Sequence, residues 1–450
     1  LQPDRVGEVT PDIEADAGRR ATLAPLFPGR SQVVIVGGGF GGLNAAKALR
    51  HADVEVTVVD RRNHHVFQPL LYQVATAGLS PGDIASPIRF ILRRQRNVRV
   101  LLGEARAIDT ARKVVHLDVG DLAYDFLILA TGAAHAYFGH DDWQDAAPGL
   151  KTLDDALAIR RRVLMAFEGA ERAVTALAQQ RALTFAIVGG GPTGVELAGA
   201  VAEIARHAFR NEFDRIKPET ARILLLEGGP DILSGFPEPL RVHAAASLRR
   251  LGVDVRTNTI VTRITEGLVE AGGTRIEAGT ILWAAGVAAS PLGRSLGAPV
   301  DRAGRVMVGP DLTIEGHPDV FVIGDLAHAL GADGAPLPGV APVAIQQGTY
   351  AAQQIARATP AGQRPPFRYR NLGNLATIGR ASAIADFGWI RVKGYPGWLL
   401  WLFVHIMKLT GFRNRLLVLM QWAWAYVTYQ RSVRLITGEE SRPSRTPSLS

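Results

Sequence analysis

Gln32-Val33-Val34-Ile35-Val36-Gly37-Gly38-Gly39-Phe40-Gly41-Gly42 is an apolar β-branched run that ends in Gly-x-Gly-x-x-Gly. A β-branched run suits a buried strand. The glycines then permit a tight turn, a close approach of backbone to a bound pyrophosphate, and packing of the following helix on the strand. Reading outward, a helix is expected over Leu43–Arg50, a strand over Glu55–Val59, and an acid, Asp60, closes the unit. The same order recurs downstream: strand Thr184–Val188, turn Gly189–Gly194, helix from Val195, strand Arg222–Leu226, acid Glu227. A lone glycine fingerprint is weak evidence. Two copies, each between an apolar strand and a helix and each closed by an acid, predict two dinucleotide-binding units. Gly37 to Asp60 fits the usual interval of about 20 residues, whereas Gly189 to Glu227 is longer. The charged stretch His207–Thr220 predicts an insertion there.

Composition narrows the chemistry. The 450 residues are 47% hydrophobic, enough for a core in each of two or three domains. Lys plus Arg at 50 against Asp plus Glu at 42 gives a net charge of +8. There is no cysteine, so disulfides, Cys-ligated zinc, iron–sulfur clusters and a redox Cys pair are all excluded. Electron chemistry in this chain must use an organic cofactor or haem. The first thirty residues, with Asp4, Glu8, Asp12, Glu14 and Asp16 among prolines, read as a disordered tail rather than a signal peptide.

Three apolar strands ending in small residues fall between and after the glycine turns: Phe126–Ala130 before Thr131-Gly132, Ile281–Ala285 before Gly286, and Val320–Ile323 before Gly324-Asp325. The expected fold class is therefore α/β, with two nested Rossmann-like dinucleotide-binding domains and a C-terminal amphipathic helical membrane-association segment. The expected division is a disordered tail (1–30), an outer dinucleotide-binding domain in two parts (31–152 and 292–387), an inner dinucleotide-binding domain (153–291) and the C-terminal segment (388–450). Alternation over Leu372–Ile384 predicts added strands. In the last stretch, Trp389, Trp398, Trp401, Trp422 and Trp424 lie among Arg and Lys residues, and the apolar runs Trp398–Met407 and Leu416–Val427 are too short to span a bilayer. They suit an anionic membrane surface. A helical hairpin packed on the domain and a homodimer contact are the alternatives. With the basic excess in an apolar tail rather than a polar groove, no nucleic-acid partner is expected.

Further motifs occur in order along the chain. They are Asn63-His64-His65-Val66-Phe67-Gln68-Pro69-Leu70-Leu71-Tyr72-Gln73, Gly191-Pro192-Thr193-Gly194-Val195-Glu196-Leu197-Ala198-Gly199, Trp283-Ala284-Ala285-Gly286-Val287 and Gly324-Asp325. From about Gln32 to about Ile436 the chain resembles the type II NADH:quinone oxidoreductases, within the two-dinucleotide-binding-domain flavoproteins. The resemblance implies FAD as cofactor, held by the outer domain (31–152 and 292–387), NADH as donor, held by the inner domain (153–291), and a membrane quinone as acceptor. It also implies a peripheral, monotopic location on the cytoplasmic face of the inner membrane. Gly37, Gly39, Gly42 and Asp60 would hold the ADP part of FAD, Thr131 and Gly132 would line the flavin, and Gly324 and Asp325 would form the second flavin motif. Gly189, Gly191 and Gly194 would cradle the NADH pyrophosphate and Glu227 its ribose, favouring NADH over NADPH.

The resemblance gives Glu196 a role in positioning the nicotinamide and relaying a proton. The alternative is an acid in the first helical turn, favoured by the helix dipole. On the quinone side, Ala341-Pro342-Val343-Ala344-Ile345-Gln346 departs from the family's Ala-Gln-x-Ala-x-Gln. Pro342 replaces the first Gln, and Gln346 alone keeps its place as a quinone or isoalloxazine contact, or else as an ordinary amide near a helix start. Lys393 and Tyr395 read equally as residues at the mouth of a quinone site or as snorkelling anchors. Adjacent His64 and His65 lack metal-ligand spacing, so no metal is expected. A soluble ferredoxin- or rubredoxin-type flavin reductase and a non-catalytic NADH-binding sensor remain as the other readings.

Overall fold

The computed structural model describes residues 22–24, 26–409, 412–428 and 433–437. The acidic N-terminal stretch and Arg431 lie outside them. Residues 22–24 and 26–30, inside the predicted tail, already make specific contacts: Leu23 N–H donates to the Asp121 carbonyl, and Leu26 and Phe27 N–H groups donate to the Glu55 carboxylate at 2.8 and 2.7 Å.

In chain order, the strands of the two central sheets are β1 (Ser31–Val36), β2 (Val54–Asp60), β3 (Val98–Leu102), β4 (Phe126–Leu129), β5 (Thr184–Val188), β6 (Arg222–Leu226), β7 (Val253–Arg256), β8 (Thr280–Trp283), β9 (Thr313–Ile314) and β10 (His317–Val322). A smaller C-terminal sheet holds β11 (Asn374–Thr377), β12 (Ala383–Asp386) and β13 (Arg391–Gly394). The helices that matter for the sites are α1 (Phe40–Ala48), α2 (Leu153–Arg172), α3 (Pro192–Glu203), α4 (Ala341–Ala356), α5 (Tyr395–Lys408) and α6 (Phe412–Thr428).

The chain divides into two compact units. The first comprises residues 1–63, 92–132 and 290–368, and the second 64–91, 133–289 and 369–450. In the first, a six-stranded sheet runs β9-β10-β4-β1-β2-β3. It is parallel except for the β9–β10 pair, with Val33 opposite both Val56 and Phe126. β10 joins this sheet although more than 180 residues separate it from β4, which makes the second dinucleotide unit an insertion. The nesting read from the glycine motifs is thus the observed topology. Ile35, Val56, Val58, Leu127 and Phe321 are fully buried, as expected for parallel strands covered on both faces.

The second unit holds the parallel sheet β7-β6-β5-β8. Its strands bury Phe185, Ile187, Leu224 and Leu282 completely. The predicted insertion before β6 is a π-helical turn over Ile204–Ala208 followed by irregular chain and a 3-10 turn at Pro218–Thr220. The predicted strands within 372–384 are β11 and β12, antiparallel and continued by β13.

Two helix boundaries differ from expectation. α1 starts at Phe40 and α3 at Pro192, three residues earlier than read from the sequence, so Gly41, Gly42 and Gly194 lie inside the helices. Glycine normally weakens a helix. Here a Cβ on Gly42 would collide with the Gly37 carbonyl and one on Gly194 with the Gly189 carbonyl, so the absent side chain is what lets each helix begin against its strand. As a result Glu196 falls in the second turn of α3, and the first turn carries no acid. The helix-dipole explanation for Glu196 loses its geometric basis.

Candidate functional site

The first glycine turn joins β1 to α1. Gly37 has φ +107°, and its N–H donates to the Val59 carbonyl at 2.8 Å. Any side chain there would be strained in φ and would strike the Ala130 carbonyl at the end of β4. Gly39 differs from its neighbours, because an added Cβ would meet nothing within 4 Å. Gly39 is also the N-cap of α1 and makes no side-chain cap, so the start of that helix faces the turn without a capping side chain. Asp60 closes the turn. One carboxylate oxygen accepts from Gly38 N–H at 2.6 Å and the other from Arg62 N–H at 2.7 Å.

The second turn repeats this construction in the other unit. Gly189 has φ +108° and donates to the Leu226 carbonyl at 2.8 Å. A Cβ on Gly191 would again have open space around it, and Gly191 caps α3 without a side-chain bond. Glu227 accepts from Gly190 N–H at 2.6 Å and from Gly229 N–H at 2.7 Å. Despite its longer sequence interval, Glu227 takes the hydrogen bond that Asp60 takes in the first unit. The extra residues are absorbed by the π-helical insertion.

Also in the first unit, Thr131 follows β4, and its hydroxyl is buried with no hydrogen-bond partner among the described residues. Gly132 turns the chain at φ +67°. Gly324, at φ +71°, follows β10 and begins the turn that carries Asp325, whose carboxylate lies against Gly339. Gln346 is half-buried on α4, and Pro342 occupies that helix's first turn, where a missing N–H breaks no helical bond. Sequence reasoning passed over the next residue, Gln347. It is buried, and its side-chain oxygen accepts from Gly324 N–H at 2.7 Å. A polar residue on the inward face of α4 was the signal that could have revealed it.

In the second unit, Glu196 retains partial exposure yet is densely surrounded. Desolvation pushes its carboxyl up to about 8, and a hydrogen bond from the Thr377 backbone opposes that rise. Gly199, one turn further along α3, lies so near β11 that an added Cβ would come 2.8 Å from the Ile378 carbonyl. Gly199 closes the motif that contains Glu196, but its approach to β11 and the part played by Thr377 were not visible in the sequence.

The C-terminal helices have two faces. Trp401 is 3% exposed and stacks on His405, with ring centroids 4.3 Å apart. The His405 ring also meets Phe67 edge-on, and burial lowers its pKa to about 4 against a bond to the Trp401 carbonyl. Trp422 donates to Gln73 at 2.7 Å, and Asn414 to the Gly82 carbonyl. Trp398 stacks between Tyr395 and Tyr426. The tail's tryptophans are thus not all surface residues as their density suggested, and several tie the helices to their own unit. Phe403, Met407, Met420 and Trp424 remain exposed, as does Trp389 at 87%. No helix among the described residues is long and apolar enough to cross a membrane.

Residues 31–348 match the pyridine nucleotide-disulphide oxidoreductase family model, which defines the class to which this pair of nested dinucleotide folds belongs. Residues 371–429 match the NDH2 C-terminal domain. The type II NADH:quinone oxidoreductase NdhA of Mycobacterium tuberculosis is 46% identical over 429 residues, 91% of this chain and 90% of the relative. Its paralogue Ndh from the same organism is 44% identical, with 92% of each chain covered. NDH2 from Plasmodium falciparum, solved in complex with NADH, shares the fold at a TM-score of 0.81 and 21% identity, covering 91% of this chain and all of that one. The chain belongs to the type II NADH:quinone oxidoreductases.

Proposed function

We propose that this chain is an FAD-dependent, non-proton-pumping NADH:quinone oxidoreductase. The observation that carries the reading is the pair of glycine turns, each open at its second glycine and each closed by a carboxylate, in a cysteine-free chain 46% identical to a type II enzyme across nearly its whole length. When bound, FAD supplies the two-electron chemistry, accepting hydride from NADH and giving electrons to quinone.

The first unit fits that cofactor. The open face at Gly39 and the uncapped start of α1 suit a pyrophosphate, and the partnerless Thr131 hydroxyl offers a buried polar contact. Gly37, Gly39 and Gly42 would form the pyrophosphate turn, with Asp60 at the adenosine ribose. Thr131, Gly132, Gly324 and Asp325 would take the remainder of the cofactor.

In the second unit, Gly189, Gly191 and Gly194 would hold the NADH pyrophosphate. Glu227 would bind the ribose hydroxyls and repel the 2′-phosphate of NADPH. Glu196, protonated at neutral pH, would orient the nicotinamide and hold a proton for release. Gln346 would donate to a quinone carbonyl, with Pro342 leaving that side short of the amide the family has there. The exposed apolar faces of α5 and α6, with their Arg and Lys residues, support peripheral attachment to an anionic bilayer, which for an NADH-consuming enzyme would be at the cytoplasmic face. A homodimer would compete for the same surface.

Anaerobic stopped-flow spectroscopy tests the reading. Rapid flavin bleaching by NADH, slower bleaching by NADPH, and fast reoxidation by a soluble quinone are expected. Flavin that NADH does not reduce would favour a non-catalytic binder, and reoxidation faster with ferredoxin than with quinone would favour a soluble reductase.

A further inference from the structure

In the first unit, helix α4 touches both α1, which follows the glycine turn, and the turn that begins at Gly324. Gly348 faces α1 so closely that an added Cβ would strike the Gly41 carbonyl, and a Cβ on Gly41 would lie 3.3 Å from the Ala344 carbonyl and 2.9 Å from Ile323. The same helix, one residue back, presents the buried side chain of Gln347 to the Gly324 N–H at 2.7 Å. Gly324 needs this support. It sits at φ +71° between β10 and the 3-10 turn Gly324–Leu326, and its N–H points at α4 rather than into a strand ladder.

A buried amide that accepts one backbone N–H fixes the orientation of that peptide, because losing the acceptor leaves the donor unsatisfied away from water. The next side chain along is Asp325. A rotation of the Gly324 peptide would move that carboxylate, which is 3.2 Å from where a Cβ on Gly339 would be.

We propose that Gln347 is a positioning residue for flavin binding: through its hydrogen bond to Gly324 it sets the turn that aims Asp325 at FAD, while Gly348 beside it holds α4 on the helix that receives the pyrophosphate. The role rests on the reading of the first unit as the FAD site. It belongs to Gln347 rather than to Gln346, whose side chain lies on the less buried side of the helix.

The test is FAD titration of the apo-protein, followed by flavin fluorescence quenching, with thermal melting of each apo-protein alongside. Gln347→Met preserves length and volume but removes the acceptor, Gln347→Glu keeps an acceptor oxygen, and Gln347→Asn withdraws it by one methylene. Gln347→Met and Gln347→Asn are expected to weaken FAD binding at least tenfold while the apo-proteins melt close to wild type. Gln347→Glu is expected to stay within about threefold of wild type. If Gln347→Met does not fold, the Asn and Glu pair decides by the same criterion. Wild-type affinity in the Met or Asn variant, or a loss as large in Gln347→Glu, overturns the proposal. A wild-type apo-protein that takes up no FAD overturns instead the reading of the site on which it rests.

Discussion

Glu196 is a carboxyl that burial keeps protonated well above the ordinary range. The unfolded chain ionises this group near 4.5, while the folded protein holds the proton until about 8. Between those values the folded state binds more protons, so this group's contribution to stability is full below 4.5 and is lost as pH rises through about 8. Glu196→Gln should therefore flatten the decline in Tm between pH 5 and pH 8.5, and an unchanged decline would count against the assignment. The same substitution should remove an ionisation near 8 from the pH dependence of kcat. Glu227 acts through geometry. Both of its oxygens are held by turn N–H groups, so Glu227→Ala removes the proposed ribose acceptor and also leaves two donors unpaired. A rise of about tenfold in KM for NADH is expected, together with a narrowed preference over NADPH. Steady-state kinetics with both nucleotides would show it, and an unaltered preference would assign specificity elsewhere.

At the scale of elements, the sites depend on helices placed nearer to other backbone than a side chain allows. α4 against α1 at Gly348 and α3 against the end of β11 at Gly199 are two such approaches. Gly348→Ala forces α4 away from the Gly41 carbonyl and should cost about 1–3 kcal/mol in denaturant unfolding, as overpacking does. On the proposed FAD site it should weaken FAD binding as well, because α4 supports both α1 and the Gly324 turn. Gly348→Ala with wild-type stability would mean that α1 and α4 can separate freely. The C-terminal helices use the opposite device. Trp401, Asn414 and Trp422 fasten one face to the second unit through large side chains and hydrogen bonds, and the other face stays apolar and bare.

For the whole molecule, the bare face predicts behaviour that neither unit's glycine turns can supply. The doubly substituted Phe403→Glu, Trp424→Glu protein should lose most of its co-sedimentation with anionic vesicles, because both residues are exposed and each gains a charge. Its reduction of a water-soluble quinone by NADH should match wild type. Equal vesicle binding by the two proteins would place the attachment surface elsewhere. As expected of a type II NADH:quinone oxidoreductase, turnover with NADH and quinone on sealed vesicles should build no proton gradient. A pH-sensitive dye trapped in the lumen reads this directly.

Much of this was written in local sequence. The two glycine turns and the closing acids Asp60 and Glu227 are set within each unit's own stretch of chain, and the order of those stretches made the nesting legible. Glycine conformation, strand apolarity and a carboxylate after the second strand act over one or two turns. The absence of cysteine excluded whole classes of redox chemistry without reference to any fold. What the sequence misplaced were the helix starts and the tryptophans, because both depend on what lies opposite. A glycine is placed inside α1 because a carbonyl stands against it, and Trp401 is buried where α6 brings Trp422 to 5.3 Å from its ring. The hydrogen bond from Gly324 to Gln347 spans 23 residues, the contact of Trp422 with Gln73 spans 349, and Glu196 takes a hydrogen bond from the Thr377 backbone on a strand that begins at Asn374. Which neighbour satisfies a buried polar group is decided by distance in space, and only the tertiary structure fixes that distance.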